Sequence, residues 1–213
     1  MKKMTGLKLA MWVLLLVASA AFAQMPQPFS ADFTTSTHNG EKVTGKWFFS
    51  TPNMRVDMNS MPGRDQGPMA GPVSMIADAA SQTNYMLLHG PHMYMEFHGD
   101  RQNSMSPGLR DLLRQKSGAD PCSGRTDCTS RKIGTETVNG RSCDKLEVTD
   151  KSGKSTLWID QKLHFPVRIQ GRDGDTMDLT NIKEGPQDPS LFKVPAGYKA
   201  FDPSAFGGQR RPK

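Results

Sequence analysis

The sequence predicts a mainly β fold built from antiparallel strands, and three observations predict it. Apolar residues recur at every second position in one segment after another, as in Phe29, Ala31 and Phe33 or Met54, Val56 and Met58, which is the period of a half-buried strand. Hairpin dipeptides punctuate those segments: Asn139-Gly140 and Asp173-Gly174 readily supply the positive φ values of a tight β-turn. Helical spacing with credible end signals is confined to one short stretch, 107–116 (PGLRDLLRQK), with Leu109, Leu112 and Leu113 on one face.

In chain order, residues 29–37 form a strand that ends at His38-Asn39-Gly40. Residues 42–50 place Val43, Gly45, Trp47 and Phe49 on one face, and Thr51-Pro52-Asn53 breaks the chain. In 54–58, Met54, Val56 and Met58 share a face while Arg55 and Asp57 take the other. Residues 59–72 (NSMPGRDQGPMAGP) hold three prolines and three glycines and read as a long loop. Short strands follow at 73–78, 83–88 and 92–97, then the helix at 107–116. The region 133–199 alternates strand and turn, with strands at 132–138, 141–149, 155–160, 166–172 and 175–183, and local connections make a meander the simplest order. Asp188 caps a one-turn helix at Pro189–Phe192, with Pro189 at the first helical position and Leu191 and Phe192 tucked onto the sheet.

The spacing of VNGRSCDKLEV, STLWID, FPVRIQ, MDLTNIKEG and DPSLFKVPAGYK resembles exported bacterial proteins of the periplasmic lipoprotein-carrier (LolA-like) superfamily, closest to an uncharacterised branch of it. The resemblance covers 133–199 well and 30–200 loosely. It implies a half-open antiparallel β-barrel around an apolar cavity and a binding role in envelope lipid or lipoprotein handling, without catalysis.

The amino terminus agrees with export. Lys2, Lys3 and Lys8 form a basic region, Leu9 to Ala18 a short apolar run, and Ala21-Phe22-Ala23 an A-x-A cleavage site, so residues 1–23 are expected to be a signal peptide cleaved after Ala23 on the way to the periplasm. That run falls short of the ~20 residues of a spanning helix, and no other apolar run is long enough, so an integral membrane protein is not expected. Residues 24–206 are expected to form a single β-barrel-like domain and 207–213 a disordered tail. The formal charge of +6 falls to +3 without the three leader lysines, 24 basic against 21 acidic residues. No basic helix or zinc-finger spacing is present, which argues against nucleic acid.

Three cysteines remain, and an oxidising compartment favours a disulfide. Cys122 and Cys128 flank a short flexible loop and are the preferred pair, with Cys128–Cys143 the rival and Cys143 the odd thiol. In a regular strand Cys143 lies opposite Leu146 and Val148, so a buried Cys143 implies a bulge between them. A zinc site of the three cysteines with His164 lacks the usual ligand spacing.

The signatures G-x-S-x-G, H-E-x-x-H, the P-loop and G-x-G-x-x-G are absent, so the chain is read as non-enzymatic and without a cofactor. Two binding chemistries remain. His89, His92, Met95 and His98 are soft and imidazole ligands that suit Cu(I), although strand alternation separates Met95 from His92 and His98. The preferred reading is an apolar small molecule or lipid held by Trp47, Met54, Met75, Met93, Met95 and Trp158, because methionine adapts to irregular apolar shapes. A lipoprotein or envelope protein as partner, in a structural or assembly role, is the further alternative.

Overall fold

The computed structural model describes residues 27–61, 70–78, 81, 83–98, 121, 122, 126–151 and 153–201. The expected leader 1–23, helix 107–116 and tail 207–213 lie outside these residues, as does 62–69 of the Pro/Gly-rich loop.

The turn chemistry works as its residues demand. Asn139 and Gly140 take φ values of 50° and 77°, the paired left-handed residues of a type I′ turn, and the Asn139 side chain also donates to the Leu179 carbonyl at 2.9 Å. Gly40 and Gly174 take φ values of 81° and 85° in two further hairpins. Twelve strands result: β1 (Phe29–Ser36), β2 (Lys42–Ser50), β3 (Asn53–Met58), β4 (Val73–Asp78), β5 (Thr83–Leu88), β6 (Met93–His98), β7 (Cys128–Val138), β8 (Arg141–Asp150), β9 (Gly153–Asp160), β10 (Phe165–Gln170), β11 (Thr176–Glu184) and β12 (Lys199–Ala200).

They form one sheet in the order β12-β6-β5-β4-β3-β2-β1-β11-β10-β9-β8-β7. Two antiparallel meanders, β1–β6 and β7–β11, are joined by the long-range pairing of β1 with β11. β12 lies parallel to β6 through Lys199 and Ala200 and is the exception to the antiparallel rule. The two ends of the sheet do not pair with each other, so the barrel is half open, as the family resemblance implied.

The sheet curls around an aromatic cluster. β2 and β10 are three strand spacings apart in the sheet, about 14 Å at ~4.8 Å each. The rings of Trp47 on β2 and Phe165 on β10 nevertheless have centroids 5.8 Å apart, and Phe29 and Phe49 lie 5.1 and 5.6 Å from the same Phe165 ring. Phe165 reaches them because β10 pairs with β11 only at Arg168, Ile169 and Gln170 and parts from it before that. The connection that delivers Phe165 is fixed by Asp160, 1% exposed, whose Oδ1 accepts from the backbone N–H of Lys162 (2.8 Å) and Leu163 (2.7 Å) while its other oxygen pairs with Arg141. Leu163 is thereby driven fully into the core.

The disulfide joins Cys122 and Cys128. It packs with Val148, Leu157 and Ile159 against one face of β8 and β9, while Cys143 and Trp158 belong to the main core on the other. This corrects the expected bulge at Cys143. The thiol is fully buried in phase with ordinary alternation, because both faces of β8 are covered; the register shift lies in β7, between Lys132 and Gly134. Burial pushes the Cys143 thiol up to about 11.

The carboxyl-terminal segment folds as its residues predict. Asp188 Oδ1 accepts from Ser190 N–H at 2.8 Å and caps a 3-10 turn over Pro189–Phe192. Phe192 packs with Ile76 and Leu87, beside Leu191, Val194 and Tyr198, so this strap covers the outward faces of β3–β6.

Candidate functional site

Cross-strand register decides which apolar side chains meet, because directly opposed residues of an antiparallel pair share a face. Three rows of such residues run across β1 to β6. The middle row is Ala31–Trp47–Val56–Met75–Met86–Met95. On one side of it lies Phe33–Gly45–Met58–Val73–Leu88–Met93, and on the other Phe29–Phe49–Met54–Ala77–Asn84–Phe97. Asn84 is the one polar side chain in the eighteen positions. Gly45 is required where it stands: a Cβ there would lie 1.8 Å from the Asp57 carbonyl oxygen and 2.7 Å from the Phe33 ring.

Coverage changes along these rows. On β1 to β3, Phe29, Ala31, Phe33, Trp47, Met54 and Val56 are all buried in the main core, with Phe49 and Met58 partly buried against it. On β4 to β6 Val73, Leu88 and Asn84 are buried, but Met75, Met86, Met93, Met95 and Phe97 are only half-buried and belong to none of the three core clusters of the described residues. The result is a methionine-rich apolar surface continuous with the aromatic core. Trp47 marks the junction. It is 2% exposed, and its indole N–H has no hydrogen-bond acceptor among the described residues.

Five of the six residues singled out from the sequence, Trp47, Met54, Met75, Met93 and Met95, share this face. Trp158 belongs to the same main core but stands outside these rows, on β9, where its indole N–H donates to Glu136 at 3.0 Å and Lys145 stacks 4.8 Å from its ring. Those bonds from Trp158 and Lys145 hold the Glu136 carboxyl below its usual range. Met58, Met86 and Phe97 complete the face, and strand alternation alone could not align them without the register.

The copper alternative divides between faces. Met95 is on the apolar face, whereas His89 sits in a polar network on the opposite one. His92 occupies a turn at φ 51° with its ring 5.5 Å from Tyr198, and His98 pairs with Thr83 at the end of β6. Among the described residues no three His, Cys, Asp or Glu side chains form a cluster able to hold a metal.

The polar network beneath the strap was not legible beforehand. Arg55 donates to Asp57 (2.6 Å), to the Leu191 carbonyl (2.9 Å) and to Ser74 (3.2 Å). Ser74 donates to Asp57 at 2.6 Å, and His89 bridges Ser74 (2.6 Å, through Nε2) to the Tyr198 hydroxyl (2.5 Å, through Nδ1). Because the Ser74 proton is committed to Asp57, the consistent assignment has His89 Nε2–H donating to Ser74 and Tyr198 donating to Nδ1, which is a neutral imidazole. Burial lowers the His89 pKa and favours that form, with Asp57 opposing and Arg55 and His92 reinforcing. Serine, histidine and aspartate are all present, but a nucleophilic relay needs the histidine between the other two, and here the serine is central and fully buried. The network ties the strap to the sheet.

Comparison with known proteins agrees with this architecture. Residues 31–164 match a family described as "Domain of unknown function (DUF4412)". No curated protein sequence matches the chain. Among solved structures, an uncharacterised conserved protein from Thermus thermophilus aligns with TM-score 0.54 and 11% identity over 83% of this chain and 90% of its own. MucB aligns with TM-score 0.50 and 16% identity over 82% of this chain, which spans only 59% of MucB. The solved neighbours also include a LolA-superfamily protein from Nitrosomonas europaea, at TM-score 0.36 and 10% identity over 81% of this chain and 91% of its own. At these identities the likeness to the first two is one of fold. No helix among the described residues is long and apolar enough to cross a membrane.

Proposed function

The chain belongs to the DUF4412 family, and we propose that it is an exported, non-catalytic protein that holds an apolar ligand, a lipid or acyl chain, against the methionine face of β3–β6. The observation that carries this reading is the change of coverage along the middle row. Ala31, Trp47 and Val56 on β1–β3 are buried in the aromatic core, whereas Met75, Met86 and Met95, which continue the same row on β4–β6, are only half-buried. A tightly filled barrel has no such uncovered stretch, and unbranched methionines can repack around chains of different shape. Each CH₂ transferred from water contributes about 0.8 kcal/mol, so a ten-carbon chain has ample gross driving force even after the cost of association. The basic and apolar amino-terminal segment, ending in Ala21-Phe22-Ala23, supports a periplasmic location in which 24–206 act as one domain.

Displacement of a fluorescent fatty acid tests the proposal. The wild type should bind the probe and release it to an unlabelled acyl chain. Met93→Glu with Met95→Glu should lose binding while keeping the β-sheet circular dichroism of the parent. Absence of wild-type binding, or equal binding by the folded double mutant, would remove the reading and leave these methionines as packing alone.

A further inference from the structure

Resting on that reading, we infer that the ligand carries an uncharged carbonyl oxygen beside its apolar chain, and that Trp47 reads it. Two independent observations meet at this residue. First, Trp47 lies in the buried part of the middle row, next to its open part: Val56, also buried, follows it, and then the half-buried Met75, Met86 and Met95, each directly opposite the last. Second, its indole N–H is buried with no acceptor among the described residues, and the residue is only 2% exposed. Buried indole N–H groups ordinarily find a partner, because leaving one unpaired forfeits the hydration it had in the unfolded chain. The contrast within this protein is direct, since Trp158, at 5% exposure, has its N–H on Glu136.

The chemistry of the missing acceptor follows from its surroundings. Trp47 packs edge-on against Phe33 and Phe165, with centroids 6.3 and 5.8 Å away, and its cross-strand neighbours are Ala31 and Val56. No cation stands in these two aromatic contacts or in the row. A carboxylate placed there would be a desolvated charge held by one neutral donor, which is strongly unfavourable. An ester or amide carbonyl meets the N–H without a net charge. The distance also fits: Trp47 to Met86 spans three strand spacings, about 14 Å along the sheet. One leaflet of a bilayer core, half of ~30 Å, is about 15 Å deep and sets the length of a lipid acyl chain. Trp47 is thus the specificity group at the head of the chain, and the methionines are its non-specific bed.

A matched pair of probes on the intact protein tests this: methyl decanoate, and decyl methyl ether, which keeps the chain but lacks the carbonyl. Their affinities are compared by displacement of the methyl ester of the fluorescent fatty acid, and the indole N–H resonances of ¹⁵N-labelled protein are followed. Expected is about fivefold tighter binding of the ester, the worth of one hydrogen bond. The Trp47 indole proton should move downfield with the ester and not with the ether, while the Trp158 signal, already bonded to Glu136, stays in place. Trp47→Phe should bind both probes equally. If that variant does not fold, the probe pair and the spectra of the native protein still decide. Two probes that displace equally with no selective Trp47 shift would overturn the inference and leave the apolar-ligand reading standing; a buried water as acceptor gives this result. Failure of both probes to displace would overturn the two together.

Discussion

Phe192→Ala tests how the strap is held. Phe192 is 8% exposed and sits on Ile76 and Leu87, which are 1% and 0% exposed. Truncating a buried phenylalanine costs about 3–5 kcal/mol, and a site beneath a single surface segment, which can partly collapse, belongs near the lower end, at about 3 kcal/mol. Leu191, Val194 and Tyr198 pack only partly buried beside the ring, and the polar anchors are His89 to the Tyr198 hydroxyl at 2.5 Å, Arg55 to the Leu191 carbonyl at 2.9 Å, Lys199 N–H to His92 carbonyl at 3.0 Å, and Phe201 N–H to Tyr94 carbonyl at 2.7 Å. The polar anchors do not replace the Phe192 ring on Ile76 and Leu87, so the strap should open before the sheet does. Urea unfolding followed by tryptophan fluorescence gives the total loss. Hydrogen exchange at the Lys199 and Phe201 amides gives the local one. A loss below about 1 kcal/mol, or unchanged exchange at those amides, would mean that the strap lies loosely and that the ring contributes little.

Three further outcomes are expected. Burial holds the His89 pKa below its unfolded value near ~6.5, so its contribution to strap docking is complete above that pH and declines as pH falls through it toward the folded pKa. Exchange at the Phe201 amide, corrected for intrinsic rates, should rise relative to a core amide as the pH is lowered from about 7.5 to about 5.5, on either side of that value, and a flat ratio would contradict the neutral-imidazole assignment. Gly45→Ala should destabilise by about 3 kcal/mol in calorimetry, because the added methyl meets the backbone oxygen of Asp57, which cannot rotate away; a loss under about 0.5 kcal/mol would show that β2 and β3 separate freely. Unreduced peptide mapping should recover Cys122 linked to Cys128, with Cys143 unreactive to alkylation until unfolding; a peptide linking Cys143 to either would refute the pairing.

What could be read in advance was local. Asn139-Gly140, Asp173-Gly174 and the Asp188-Pro189 cap impose their backbone wherever they stand, and alternation sorted Met54 and Val56 from Arg55 and Asp57. What could not be read was non-local. The β1–β11 pairing and the parallel β12 on β6 are set by the curl around Phe165 and by the strap, neither of which leaves a periodic trace. The site shows the same division. Each methionine strand announced an apolar face, but only the register placed Met75, Met86 and Met95 in one line with Trp47 and left Trp158, on β9, outside that line. Arg55 and Asp57 were assigned outward correctly, while their cover arrives from Leu191, 136 residues along the chain from Arg55.

Native mass spectrometry most directly tests whether the methionine face is a binding site. The full chain would be expressed in a Gram-negative host, released by osmotic shock and sprayed without detergent. The account predicts a second charge-state series displaced by the mass of one lipid or acyl ester, absent from Met93→Glu with Met95→Glu prepared in parallel. Bare protein mass alone, unchanged after incubation with phospholipid vesicles, would contradict it.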